Sequence, residues 1–138
     1  MQEKVYKKEI PSDPELLPEL DDFVMDIAKS AGLSEDKFNN LSLSFSEAAS
    51  NSIVHGNRKD PNKKISITVK VSDSQMKIII KDEGKGFDIA NVPDPTKPEN
   101  ILKDSGRGIH IMRSFLDDLY YNYTPNGTET ILVLNLKQ

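Results

Sequence analysis

The sequence predicts a two-layer α/β sandwich of the α+β kind, a mixed but mostly antiparallel five-stranded sheet covered on one face by three helices. Three observations carry this expectation. Two apolar runs with helical spacing follow a short N-terminal strand. Ile65, Ile67, Val69 and Val71 then alternate with polar residues, and a second strand follows at once. The chain closes on residues 130–136, which are apolar on both faces and so belong in the middle of a sheet.

Each element has its own signal. Residues 4–10 form the first strand, and Pro11-Ser12-Asp13-Pro14 breaks it. Asp13 can cap the following helix, with Pro14 in its first turn; Pro18 lacks a further donor and allows a start as late as that. Leu16, Leu20, Phe23, Val24, Ile27 and Ala31 recur at helical spacing, and Gly32 stops the run. Ser34 or Asp36 caps a second helix that runs to about His55, with Gly56 as its stop. Its apolar face is Phe38, Leu41, Phe45, Ala48 and Ala49. Asp73-Ser74 turns the alternating strand into its partner, residues 76–80. Residues 84–105 hold Pro93, Pro95 and Pro98 and show no period; so long a connection is usually functional or mobile. A third helix is expected over 108–116, a strand over 119–123, a turn at Pro125-Asn126-Gly127, and then the last strand.

Composition excludes several functions. With 138 residues the chain is one domain, large enough to bury a core unaided. No cysteine is present, so disulfides and thiolate metal sites are excluded, which fits a reducing compartment. The net charge of −4 argues against non-specific nucleic-acid binding. No apolar run is long enough to span a membrane, and residues 1–9 lack a signal-peptide core, so a soluble cytoplasmic protein is expected. His55 and His110 have no cysteine or His-Glu partner pattern and are not read as zinc ligands.

Three short motifs carry chemistry. Glu47 and Asn51 stand four apart near the end of the second helix, so they stack on one face, away from the apolar one. A carboxylate above a carboxamide can hold a base beside a hard cation; a plain solvated face is the alternative. Asp82-Glu83-Gly84-Lys85-Gly86 ends an apolar strand. A buried carboxylate there accepts hydrogen bonds only, which suits the exocyclic amine of adenine, and glycines let backbone approach a flat ring. The alternative is a turn with an acid in it. Gly106-Arg107-Gly108-Ile109-His110 precedes a helix, where free N–H groups and the helix dipole favour a phosphate chain; the alternative is a hinge. There is no P-loop pattern, and Gly84 and Gly86 do not open a βαβ unit, so neither a P-loop nor a Rossmann site is expected.

Together the three motifs resemble the ATP-binding domain of gyrase, histidine kinases and MutL, the GHKL or Bergerat fold. Residues 46–57 look like its N box, 82–87 its G1 box and 106–112 its G2 box. The details Ser-Glu-Ala-x-x-Asn-x-x-x-His-Gly at 46–56 and Ser-Gly-x-Gly-Ile-x-Ile-Met-x-x-Phe-x-Asp-Asp at 105–118 resemble the free-standing anti-sigma-factor serine/threonine kinases of bacteria. No residues are left over for a phosphoacceptor helical hairpin, which sets the chain apart from a sensor histidine kinase.

The resemblance implies a single ATP-binding kinase domain over 1–138, with ATP and Mg²⁺ as cofactors and an ATP lid at about 91–105. It implies that Asn51 binds Mg²⁺ and that Glu47 is the general base. Asp82 would take the adenine amine, Gly84 and Gly86 would shape that pocket, and Thr128 would assist through a water. Lys103, Ser105, Gly106, Arg107, Gly108 and Ile109 would line the phosphates, and His55 would join the nucleotide site. One departure stands out: where some relatives carry a basic residue ahead of Ser-Gly, this chain has Asp104, and Lys103 or Arg107 would have to replace that charge. The implied partners are a sigma factor, an anti-anti-sigma antagonist of the STAS type and a second copy of the chain. Two other functions stay open: a nucleotide-gated binding module with little kinase activity, and a histidine-kinase-like domain acting in trans.

Overall fold

Capping chemistry sets the first helical layer. The computed structural model describes residues 3–56, 60, 62–83 and 116–136. Strand β1 spans Lys4–Pro11 and is followed by a 3₁₀ turn, Pro14–Leu16. Asp13 caps that turn, its Oδ1 accepting the Glu15 N–H at 2.9 Å. Helix α1 then runs over Leu17–Ala31, with Pro18 in its first turn, where its missing donor costs nothing. Gly32 closes it at φ 80°, with the Leu33 N–H on the Ala28 carbonyl and the Gly32 N–H on the Lys29 carbonyl, a Schellman arrangement.

Helix α2 spans Glu35–Asn51, and Ser34 is its cap: the Ser34 Oγ accepts the Lys37 N–H, while Asp36 lies inside the first turn. Leu41, Ser44, Phe45, Ala48 and Ala49 are its buried stripe, at i, i+3, i+4, i+7 and i+8. The last turn widens into a π-helical segment, Ser52–Gly56, which keeps Ile53 fully buried.

The sheet is formed by β1, β2 (Lys64–Val71), β3 (Gln75–Lys81), β4 (Asp118–Thr124) and β5 (Gly127–Asn135), in the order β1-β2-β3-β5-β4. All four pairings are antiparallel, so none of the parallel pairs that a mixed sheet allows is present among these strands. The apolar last strand is central, as its composition predicts, because β5 pairs with both β3 and β4. Ile65, Ile67, Val69, Met76, Ile78, Ile80, Leu132 and Leu134 face the helices and join Leu20, Val24, Leu41 and Phe45 in one core. Helix α1 lies near β2 and α2 near β5, so both cover the same face. Of the expected third helix only Leu116 is described; it is buried in that core, just ahead of β4, and the rest of 108–116 lies outside the described residues. So do Gly84, Gly86 and the segment 91–105.

Candidate functional site

The end of α2 supplies the first half of the site. Helical geometry places Glu47 and Asn51 one above the other, and both are half-buried beside the fully covered Ala48 and Ala49. The neighbouring Ser46 hydroxyl donates to Asp21 Oδ1 on α1 at 3.3 Å and ties the two helices together next to Glu47. Burial pushes the Asp21 carboxyl above its ordinary value; the Ser46 hydrogen bond opposes this, and the neighbouring Asp22 charge adds to it. At the other end of α2, the Lys37 ammonium donates to the Asn135 carbonyl and pairs with Asp117 at 3.6 Å, which anchors the helix to the last residue of β5. A helix of 17 residues is about 25 Å long, comparable to the run of β5 from Asn135 at this end of the sheet to Gly127 at the far end.

At that far end stand Asp82 and Thr128. Asp82 follows directly on β3 and is only 4 % exposed, the one buried carboxylate among the described residues. The start of β5 holds it from both sides of the peptide. The Asp82 N–H donates to the Thr128 carbonyl at 3.0 Å, and the Thr128 N–H donates to Asp82 Oδ1 at 3.1 Å. The next residue is anchored in the opposite direction, since Glu83 Oε1 accepts the Lys64 N–H at 2.6 Å at the start of β2. The chain therefore leaves β3 pinned between two neighbouring strands, with its acid fixed and buried.

The structure thus brings Asp82 and Thr128 together and stacks Glu47 on Asn51. His55 continues the π-helical turn by its backbone. Gly84, Gly86, Lys103, Ser105, Gly106, Arg107, Gly108 and Ile109 lie outside the described residues. Sequence reasoning missed Gly127, which it takes as part of a turn. Its φ is 151°, and a Cβ there would sit 2.1 Å from the Asp82 carbonyl oxygen. The Asn-Gly pair was a signal, but its partner, Asp82, is distant in sequence and visible only through the sheet register. Among the described residues no three His, Cys, Asp or Glu side chains gather as a metal site, and no helix is long and apolar enough to cross a membrane.

A helical layer over one face of an antiparallel sheet defines an α+β two-layer domain, with an acid-amide pair on a helix end and a buried acid at a strand end. The family model for the histidine kinase-like ATPase domain matches residues 10–134, and the chain belongs to that family. It is similar to an anti-sigma F factor of Geobacillus sp. (strain WCH70), 36% identical over 100 residues that cover 70% of this chain and 67% of that protein. It is also similar to the serine-protein kinase RsbW of Bacillus subtilis (strain 168), 29% identical over 79 residues, 57% of this chain. That match spans 49% of the Bacillus subtilis protein, about half its length. An anti-sigma F factor of Anoxybacillus flavithermus (strain DSM 21510 / WK1) is 33% identical over 106 residues, 73% of this chain and 71% of that protein.

Proposed function

We propose that this protein is an ATP-dependent serine/threonine protein kinase and anti-sigma factor, which phosphorylates a STAS-type anti-anti-sigma antagonist and sequesters a sigma factor in the cytoplasm. The observation that carries the nucleotide half is Asp82, a buried carboxylate locked by the Thr128 N–H at the end of a strand. A carboxylate only accepts hydrogen bonds, and one held in place by the Thr128 N–H suits a ligand that brings a further donor. The names of the similar proteins, anti-sigma F factor and serine-protein kinase, support the partner half.

ATP with Mg²⁺ supplies the γ-phosphoryl group and the charge neutralisation its transfer needs. The residues present fit both groups. Asp82 accepts from the adenine amine, and Thr128 adds a water-mediated contact. Asn51 would hold the Mg²⁺ through its side-chain oxygen, and the ion would supply charge neutralisation to the phosphates. Glu47, half-buried one helical turn away, takes the proton of the attacking serine or threonine hydroxyl as that oxygen bonds to phosphorus and the bond to ADP breaks. His55, Gly84, Gly86, Lys103, Ser105, Gly106, Arg107, Gly108 and Ile109 complete the nucleotide site in this proposal. The second copy of the chain belongs to it as well. On the sheet face away from the helices, Ile79, Ile131 and Tyr120 stand in one cross-strand row, and Tyr120 is 39 % exposed. A change of Tyr120→Lys should lower self-association in light scattering if two copies meet there.

Asp104, in place of a basic residue, favours a second reading, a nucleotide-gated sequestering module with little transfer activity. One experiment separates the two. The protein is incubated with labelled ATP, Mg²⁺ and the antagonist encoded nearest in the genome. Label on an antagonist serine or threonine is expected. ATP binding without transfer would leave the sequestering module, and no ATP binding would overturn both readings.

A further inference from the structure

Gly127 has no role in the function proposed above, yet a side chain there would meet backbone at once, whereas one at Gly32 would meet nothing within 4 Å. The two-residue loop between β4 and β5 is Pro125-Asn126; Gly127 already stands in the ladder, paired with Thr124. A turn favours glycine at its fourth position but does not exclude other residues there. The contact across to β3 does. A Cβ at 127 would lie 2.1 Å from the Asp82 carbonyl oxygen, 3.0 Å from its carbonyl carbon and 3.4 Å from Oδ1. The first two are backbone atoms, which cannot rotate aside. A φ of 151° is also one that residues with a side chain rarely adopt.

We infer that Gly127 is a positioning residue for nucleotide-base selection: its missing side chain lets β5 close on Asp82 and hold the carboxylate where it discriminates an adenine amine. This rests on the reading of Asp82 as the adenine acceptor. Both hydrogen bonds between Asp82 and Thr128 span the gap that Gly127 keeps narrow, at 3.0 and 3.1 Å. Forcing the strands apart lengthens both, and such bonds weaken steeply with distance and angle. Adenine donates a proton from its exocyclic amine, whereas hypoxanthine presents a carbonyl oxygen at the same place. A fixed carboxylate accepts from the first and repels the second. A displaced carboxylate, its place open to water, loses that distinction while the phosphates are held as before.

The test is the ratio of affinities for ATP and ITP, measured by calorimetry with Mg²⁺. The unmodified protein should prefer ATP by about tenfold to a hundredfold, the worth of a hydrogen bond to a charged group. Gly127→Ala, shown to be folded by circular dichroism, should bring the ratio close to one and leave ITP affinity nearly unchanged. A loss confined to stability would lower both affinities together. Should Gly127→Ala not fold, replacing the Thr128 amide by an ester removes the same lock without adding a side chain, and must relax the preference in the same way. Asp82→Ala separates the two ideas. If it leaves the ATP preference intact, the adenine reading fails. If it abolishes the preference while Gly127→Ala (or the ester) retains it, the inference about Gly127 is overturned and the adenine reading stands.

Discussion

The two halves of the candidate site are held by different physics. Glu47 and Asn51 owe their arrangement to a local rule, the four-residue repeat of a helix whose stripe from Leu41 to Ala49 is buried. Asp82, Thr128 and Gly127 owe theirs to the register between two strands that are remote in sequence. Damage to the first half should remove one function at a time, because the helix places each side chain without help from the other. Damage to the second should spread, because each residue there holds another.

The change expected to break this contrast outright is Phe45→Ala. Phe45 is fully buried at the middle of α2, and its truncation should cost about 3–5 kcal/mol. Denaturant unfolding measures this; a loss below 1 kcal/mol would mean that α2 does not anchor the fold. Next comes Glu47→Ala, which should retain ATP and lose roughly 10²-fold or more in phosphotransfer rate. An unchanged rate would reduce Glu47 to part of a polar surface. Asn51→Ala should instead weaken Mg²⁺-dependent ATP binding in a calorimetric titration while the fold persists. Wild-type affinity would remove Asn51 from the metal.

The smaller effects sharpen the contrast from within the helical layer. Ser44 is fully buried on α2, and its hydroxyl has no hydrogen-bond partner among the described residues. Ser44→Ala should leave stability unchanged or raise it by up to about 1 kcal/mol, as read from the unfolding midpoint. Clear destabilisation would show that the hydroxyl has a partner. The smallest effect is at Asp21. Its carboxyl titrates above the ordinary 3.8, chiefly because burial disfavours the charge. The folded chain keeps this proton to higher pH than the unfolded chain, so the group's contribution to stability falls as pH rises from 3.8 through the folded value. Asp21→Asn keeps an acceptor for Ser46 and should flatten the stability curve in that acid window. An unaltered slope there would mean that Asp21 is solvated after all.

What could be read from the sequence follows the same division. Asp13, Gly32 and the apolar stripe of α2 act within a few residues of themselves, and each stands where local chemistry placed it. The central place of β5 was legible because a strand buried on both faces must be apolar throughout. The pairing of β3 with β5 was not, since they are joined through a long segment whose course no local pattern fixes; the sheet expected to be mostly antiparallel is antiparallel in all its described pairings. The choice between Ser34 and Asp36 as cap waited on the Lys37 N–H. At the site, Glu47 stacked on Asn51 follows from spacing alone. Asp82 as a buried acid followed from the apolar strand before it, but the Thr128 lock and the steric demand on Gly127 belong to the strand register, which a chain read in order does not display.

The strand order also has a consequence for how the chain acquires its shape. Two hairpins, β2–β3 and β4–β5, close over short turns, whereas β1 meets β2 only after both helices have been placed between them. During synthesis β1 emerges first and has no strand to pair with until β2 follows. Its Lys4, Lys7 and Lys8 then sit on an open edge, and charge on such an edge discourages pairing with other chains. The wide separation of β1 from β2, and of β3 from β5, gives the topology many distant contacts, whose loop-closure entropy is spent before the contacts form. The Asp82–Thr128 clasp bridges one of these late joints, so it completes only when the sheet itself does.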